Sequence, residues 1–577
     1  MLVGGRGTGK TTVLRCLSYE GRFELENRNP EKIAEWPYFG FYYRVNTNRV
    51  TAFRGEELSD RQWERVFAHY LNLVFCGQAL EFLNWHASTA PDGAHLSAAT
   101  CEEVAESLYL DNAENQAQLL KSIRKGRRKF ESFLNNLDPE SIPDLSLQGQ
   151  VVDDLCEAML ELPQLSGRSI FFIVDEFENL LDYQQEVLNT LIKHCGQAYT
   201  FKIGVRHLGW RKRSTLNQNE QLISPADYER IDIEQRLEGD QFEEFATEVC
   251  NLRAQVSEEF PSGIEISRML PSLSTDEEAR LLGIEDHANR IIRDVERAAP
   301  SYLSVAKEMR PLDLLLVDFW SRTKNIDLET VFVERDRDAK SWEERLGNYR
   351  FPLLFTLRRR RAGIRKYYAG WRTFTLMAGG NIRYLLELVG QAFQLQKREN
   401  GGELGESISP GIQTQAAALV GRKNLTELEG LSVHGAQLTK LLLGLGRVFE
   451  VLASEPEGHT PEVTQFSLPE DAPLGDAERL ISAAVMHLAL VRSVANKRTD
   501  LDLKGYDYAI HPIFSAFFVF SYRRKRKIKL TPNQLLALVR EPKAGIRQIL
   551  RQNNREDGDH PLPDQLKLFE SYYDLDS

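Results

Sequence analysis

Hydrophobic positions along the chain fall into two rhythms. Short continuous apolar runs bounded by polar residues predict strands buried on both faces of a parallel sheet. Ile170–Val174 within SIFFIVDE and Thr200–Val205 (TFKIGV) are of this kind, and Tyr38–Asn46 (YFGFYYRVN) is a tyrosine-rich third. Apolar residues at three- and four-residue spacing predict helices. From Ser59 onward Trp63, Phe67, Tyr70, Leu71 and Val74 share one face, and Ser59 with Gln62 makes a capping box at its start. Further helices are expected between Cys101 and Leu165, with Pro139 and Pro143 in a linker. Gly379–Gly380 break the chain before an amphipathic helix that buries Leu385, Leu386, Leu388 and Val389. Gly435–Ser454 and Gly475–Val494 are helix-like, and a turn-rich stretch then leads to DYAIHPIFSAFFVFS, a strand pair or a strand followed by a helix.

Composition sets bounds on this picture. The 577 residues include 42% hydrophobic and 27% charged, which is ordinary globular usage. Roughly 100–200 residues per domain gives about three or four domains. Lys and Arg number 72 against 84 Asp and Glu, a net charge of −12. That average argues against a surface coated in nucleic acid but leaves room for local basic patches. The six cysteines form no C-x-x-C pair, so a zinc ribbon is not expected and a reducing, cytoplasmic setting is. The late apolar run Pro512–Phe520 is far shorter than the roughly 20 residues of a membrane helix, and no membrane partner is expected.

Candidate chemistry starts at Gly4. GGRGTGKT matches G-x-x-x-x-G-K-[ST], with glycines where a backbone must curl around a phosphate. Gly4, Gly5, Arg6, Gly7, Thr8, Gly9, Lys10, Thr11 and Thr12 are the candidate ATP-binding residues. Lys10 would reach the β- and γ-phosphates and the Thr11 hydroxyl would ligate Mg²⁺. The following helix should place Val13, Leu14 and Leu17 on its inner side. Only Met1, Leu2 and Val3 precede the loop, a short central strand, from which the reading frame is expected to start upstream.

The strand Ile170–Val174 ends in Asp175 and Glu176, at the edge where parallel sheets bind ligands. Asp175 would hold Mg²⁺ and Glu176 would polarise the attacking water as general base. Arg206, at the tip of the next strand, is either a γ-phosphate sensor or one half of a structural ion pair. Arg230 is a weak candidate for an arginine finger toward a neighbouring subunit. His194 and Cys195 are adjacent on a helix, so their side chains diverge and a metal role is not expected.

GGRGTGKTT, SIFFIVDEFENL, FKIGVRHLGW and AGGNIRYLLELV form an ordered series over roughly residues 1–396. It resembles the AAA+ ATPases of the origin-recognition and replication-initiator type and the related bacterial STAND-class ATPases. The resemblance implies an α/β P-loop core with a parallel sheet, ATP and Mg²⁺ as cofactors, and a helical lid. In that lid the sensor-2 arginine of a G-N-x-R turn would be Arg383, after Gly380, Asn381 and Ile382. The expected layout is an ATPase core over 1–232 with a helical insertion at about 50–165, a lid over 233–400, a winged-helix-like α+β domain over 411–530, and a C-terminal helix with an acidic tail over 531–577. An oligomer is compatible with the family, although the long insertion and long lid depart from its usual pattern.

Two basic runs oppose the acidic average. Leu357–Arg372 carries Arg358, Arg359, Arg360, Arg361, Arg365, Lys366 and Arg372 beside Tyr367, Tyr368 and Trp371. Tyr522–Lys529 carries Arg523, Arg524, Lys525, Arg526 and Lys527. Either could grip DNA phosphates, and either could be a solvated or acid-paired face. The expected function is an ATP-hydrolysing switch acting with DNA or a protein partner, in genome maintenance or in defence against phage and mobile elements. The competing expectation is a regulatory scaffold that binds nucleotide, hydrolyses it slowly or not at all, and signals to a separate effector.

Overall fold

A computed structural model describes the chain except for residues 238, 258, 261–262, 360, 400–403, 405–406, 432, 458–461, 470–472, 495–504, 556–561 and 574–577. Two compact units emerge, Met1–Arg236 and Leu237–Ser577.

The first unit is built on a parallel sheet of β1 (Leu2–Val3), β2 (Tyr38–Arg44), β3 (Ser169–Asp175), β4 (Tyr199–Val205) and β5 (Ile231–Asp232), in the order β2-β3-β4-β1-β5. The two residues of β1 pair on both sides, Leu2 with Gly204 and with Ile231. All five strands end at one edge, and the register sets Arg44 beside Asp175 and Val3 beside Val205. The loop after β1 and the residues after β3, β4 and β5 are thereby gathered along that edge, as expected of ligand sites in open parallel sheets.

The insertion is helical, with helices at Asp60–Thr89, Ala98–Ser107, Gln116–Asn135 and Gln150–Glu161. The first of these stacks Phe75 and Phe82 onto Phe172 and Phe41 of the sheet, with ring centroids 4.8 and 5.1 Å apart. Among the described residues this is the one helix long and apolar enough to cross a membrane, and 89% of its most apolar window is buried inside the unit. The aromatic stripe is core.

His69 on the same helix is buried, and the Ser146 backbone N–H donates to its Nδ1 at 3.1 Å. Nδ1 also lies 2.8 Å from Ser146 Oγ, and burial pushes the imidazole down to about 4. Between the unfolded value of about 6.5 and the folded value, the unfolded chain binds a proton that the native state refuses. The stability contributed by neutral His69 is therefore complete above about pH 6.5 and falls as pH drops toward 4, by about 3 kcal/mol in all. Denaturant titrations of the full chain at pH 7.5 and pH 4.5 should show this loss, and His69→Gln should flatten it.

The second unit holds a helical bundle with its own core of Leu315, Leu316, Phe319, Phe332 and Leu354. It also holds the helices Asp240–Val256, Trp371–Ala378, Ile382–Glu399, Pro410–Glu429 and Gly435–Ser454, and a four-stranded sheet. That sheet runs β7-β8-β6-β9, from β6 (Val463–Ser467), β7 (Leu490–Val494), β8 (Tyr506–Ile510) and β9 (Arg526–Lys529). Gly475–Val494 is not one helix. The helix stops at Met486, Leu488 turns the chain at φ 58°, and Leu490–Val494 pairs antiparallel with β8. The apolar residues of this stretch fit a continued helix, and pairing with β8 decided for a strand. After β8 the chain forms a short turn and the helix Ser515–Phe518, the strand-then-helix alternative.

The expected acidic tail is in part a docked segment. Helices Pro532–Arg540 and Pro542–Gln552 lead to Asp564–Phe569 and Glu570–Tyr573. There Leu566, Tyr572 and Tyr573 are buried, and the Tyr572 hydroxyl donates to Lys440 O at 2.7 Å. Amphipathic residues among acids hid this docking. The remaining acidic residues of the tail lie outside the described residues.

Candidate functional site

The loop after β1 bends through two left-handed glycines, Gly7 at φ 90° and Gly9 at φ 94°, which side chains resist. Gly9 opens the helix Lys10–Cys16, so the helix N-terminus faces the loop. A Cβ on Gly9 would meet nothing within 4 Å, leaving room above the backbone, whereas one on Gly4 would press Thr8 Oγ1 at 2.8 Å. Lys10 curls back over the loop and donates to Gly4 O and Gly5 O, both at 2.7 Å. Burial holds its ammonium below the ordinary lysine value. Of the three apolar residues expected inside the helix, Leu14 is buried and Leu17 half-buried, but Val13 is 45% exposed. Leu14 sits so close to β4 that a Cβ on Gly204 would lie 2.4 Å from it and 2.8 Å from Asp175 Oδ1. Gly204 thus lets helix, strand and carboxylate meet.

Asp175 is buried at the end of β3. Its Oδ2 accepts from Thr11 Oγ1 at 2.7 Å and from the Tyr42 hydroxyl at 2.9 Å, and its Oδ1 accepts from Glu176 N at 2.9 Å. Burial and the neighbouring Asp175 push the Tyr42 phenol up to about 12. The carboxylate and hydroxyl expected to hold Mg²⁺ are therefore in contact. Glu176 adopts φ 59°, an uncommon conformation for a side chain that aims its carboxylate off the sheet edge. Its Oε1 pairs with Arg44 Nη2 at 2.8 Å, and its Oε2 accepts from Asn179 Nδ2 at 3.1 Å.

Arg206 Nε pairs with Glu178 Oε1 at 2.8 Å, and burial raises the Glu178 carboxyl above the usual range. The arginine is 20% exposed, so it is an ion-pair member that still reaches the edge carrying Lys10. Arg230 pairs with Asp232 at 3.3 Å. Glu234, beyond β5, accepts from Gly5 N at 2.6 Å and contacts His207 Nε2 at 3.1 Å. Tyr42, Arg44, Glu178 and Glu234 escaped sequence reasoning. Each is an ordinary polar residue until strand order and register bring it to the loop. His194 contacts Glu220 and Cys195 donates to Ile192 O. No group of three or more His, Cys, Asp or Glu that could hold a metal occurs among the described residues.

Arg383 belongs to the second unit. Asn381 Oδ1 accepts from Arg383 N at 3.1 Å, capping the helix, while the guanidinium spans Glu387 at 2.9 Å and Glu427 at 2.7 Å.

A family model described as ORC-CDC6-like matches residues 1–530, both basic runs included. The chain belongs to the ORC-CDC6-like family. No curated protein matches it. This ORC-CDC6-like chain is of the AAA+ origin-recognition and replication-initiator type, and its α/β core with helical parts is the fold that assignment implies.

Most of the first basic run is spent internally. Arg365 pairs with Glu450 at 2.9 Å, Arg359 pairs with Glu455, and Lys366 pairs with Glu278 at 2.8 Å. Arg358 donates to Ala362 O, and Arg361 is exposed. Tyr368 and Trp371 are buried, which removes them as base-stacking platforms. Arg360 lies outside the described residues. In the second run Arg523 pairs with Glu462 and Lys527 with Asp507 at 2.8 Å, while Arg524, Lys525 and Arg526 are exposed beside β9.

Proposed function

We propose that this ORC-CDC6-like protein binds ATP with Mg²⁺ and hydrolyses it as a conformational switch. The observation that carries the reading is the Thr11–Asp175 contact of 2.7 Å beside a buried lysine and a left-handed, glycine-lined loop. These residues fit the cofactors. Lys10 has an ammonium within the loop for phosphate oxygens, Gly9 leaves open space, and Thr11 and Asp175 offer the hard oxygen donors that Mg²⁺ takes. When bound, the metal ion would neutralise charge developing on the phosphates. Glu176 would accept the proton of the attacking water at a carboxylate oxygen, with Arg44 and Asn179 orienting it in this state. Arg206 and Arg383 are read as the two sensors of the γ-phosphate. Both are held by carboxylates from which a phosphate would draw them.

The partner is read as DNA or a protein. The helix Asp476–Met486 followed by the antiparallel strands β7 and β8 is read as a winged-helix module, with Arg524, Lys525 and Arg526 exposed beside β9 at the edge of the same sheet. Equilibrium binding of ATP tests the core of the proposal. Lys10→Ala should weaken ATP by more than tenfold with or without metal, since a charge-assisted bond is worth about 1.5–3 kcal/mol. Asp175→Asn should abolish the gain that Mg²⁺ gives wild type while leaving metal-free binding within about threefold. Unchanged ATP affinity in Lys10→Ala would sink the assignment.

A further inference from the structure

β5 ends in Asp232, and the chain turns at once into the four-residue helix Ile233–Arg236, after which the second unit starts at Leu237. Asp232 Oδ1 builds that turn, accepting from Glu234 N at 3.1 Å and from Gln235 N at 3.3 Å. Arg230 holds the other carboxylate oxygen at 3.3 Å. Because β5 lies beside β1, the turn brings Glu234 to the first residues of the phosphate loop.

Both Glu234 oxygens are engaged there. Oε1 accepts from Gly5 N at 2.6 Å, and Oε2 lies 3.1 Å from His207 Nε2. His207 follows β4, and its Nδ1 is 3.8 Å from Asp232 Oδ2, so the ring stands between the two acids. The Glu234 side chain is 23% exposed, which separates it from a solvated surface acid. One group thus joins the loop after β1 to the ends of β4 and β5.

The Gly5 peptide is gripped on its other side too. Its carbonyl accepts from Lys10 Nζ at 2.7 Å and from Thr8 Oγ1 at 3.0 Å. Donors from inside the loop hold the C=O, and an acid from outside it holds the N–H. A bond from a backbone N–H to a carboxylate is about twice as strong as a neutral one, so it restrains this peptide more than an ordinary turn bond would. A glycine peptide needs such a restraint, because glycine has the most conformational freedom to lose.

An acid this close to a phosphate site can act in two ways. It can stand in for a phosphate and keep nucleotide out, or it can fix the shape of the loop from outside the cradle. The donors favour the second. Phosphates are left to Lys10 and to the N–H groups that open the helix Lys10–Cys16, further along the loop than Gly5.

We infer that Glu234 is a positioning residue for the phosphate loop: it anchors Gly5 to the end of β5 and sets the curl of the loop before nucleotide arrives. The inference rests on reading this loop as the ATP site, yet the anchor itself exists without ATP and can be tested without it.

Hydrogen exchange of the nucleotide-free full chain, followed in the peptide that holds residues 4–11, tests the anchor. Glu234→Ala should speed exchange there by about tenfold, the worth of one charge-assisted hydrogen bond. Glu234→Gln keeps an acceptor for Gly5 N and should stay within about threefold of wild type. Equilibrium ATP binding then reads the consequence. Glu234→Ala should bind ATP about tenfold more weakly. Glu234→Gln should bind at least as tightly as wild type, since it keeps the bond and removes a negative charge from beside the phosphates. Rescue by glutamine is the readout that a purely electrostatic role would not give. Tighter ATP binding by both variants would overturn the inference and make Glu234 a plug that competes with phosphate. Unchanged exchange in Glu234→Ala would overturn it as well. So would faster exchange with ATP affinity unchanged, because ATP would then shape the loop without the anchor. If wild type binds no ATP while exchange follows the expected order, the ATP reading fails and the anchor stands.

Discussion

Glu176→Gln lowers ATP turnover by about 10²–10⁴-fold and leaves ATP affinity within about threefold, the pattern expected when a general base is removed and the phosphate cradle is kept. Glutamine is isosteric and its one acceptor oxygen can still meet Arg44, so only the weaker bond from Asn179 is lost. What it lacks is a site for the proton of the attacking water. Steady-state phosphate release paired with equilibrium ATP binding separates the two quantities. The ion pair with Arg44 is no obstacle to the assignment. It is a partly exposed pair worth about 0.2–1 kcal/mol, small beside the effect expected. Equal turnover in wild type and variant would instead favour the regulatory scaffold, in which nucleotide is bound and held. A loss of turnover accompanied by an equal loss of affinity would show that Glu176 supports the loop and not the chemistry.

The parts of this site that could be foreseen are those whose chemistry is local in sequence. Gly4 to Thr11 must be contiguous to curl around a phosphate, and Asp175–Glu176 must end an apolar strand, so both declare themselves in a few residues. Residues whose role depends on strand order could not be foreseen. Arg44 lies 132 residues from Glu176 and meets it only because β2 pairs with β3 in a register that sets Arg44 beside Asp175. Glu234 reaches Gly5 across 229 residues because β1 and β5 are neighbours. Charge runs misled for a related reason. The sequence around Arg365 shows a dense cluster of cations, whereas its answering acids, Glu278, Glu450 and Glu455, lie some 85–96 residues away. Local density was therefore a poor measure of the charge left for a partner. Helix and strand were confused at Leu490–Val494 because five residues, LVRSV, are too few to separate the two periods.

Lys366→Ala costs the second unit about 3–5 kcal/mol, the largest stability effect expected of any cation in the basic runs. Lys366 is 2% exposed and its ammonium contacts both Glu278 oxygens, at 2.8 and 2.9 Å, and Tyr367 O at 3.0 Å. It also lies over the Phe351 ring at 4.4 Å, and burial lowers it from the ordinary lysine range. Removing it strands the Glu278 carboxylate, itself 5% exposed, with the Tyr367 N–H as its remaining donor at 2.9 Å. An uncompensated buried charge is the expensive outcome; the pair itself contributes little over a well-packed apolar alternative. The double variant Lys366→Met/Glu278→Leu should therefore recover most of the loss, to within about 1–2 kcal/mol of wild type. Exposed Arg361 makes the contrast, since Arg361→Ala should move stability by less than about 0.5 kcal/mol. Guanidinium unfolding of the four proteins measures all of this. A double variant as unstable as Lys366→Ala would mean that the ion pair itself, with its bonds to the Tyr367 backbone, holds the unit, because methionine keeps an apolar stem against Phe351.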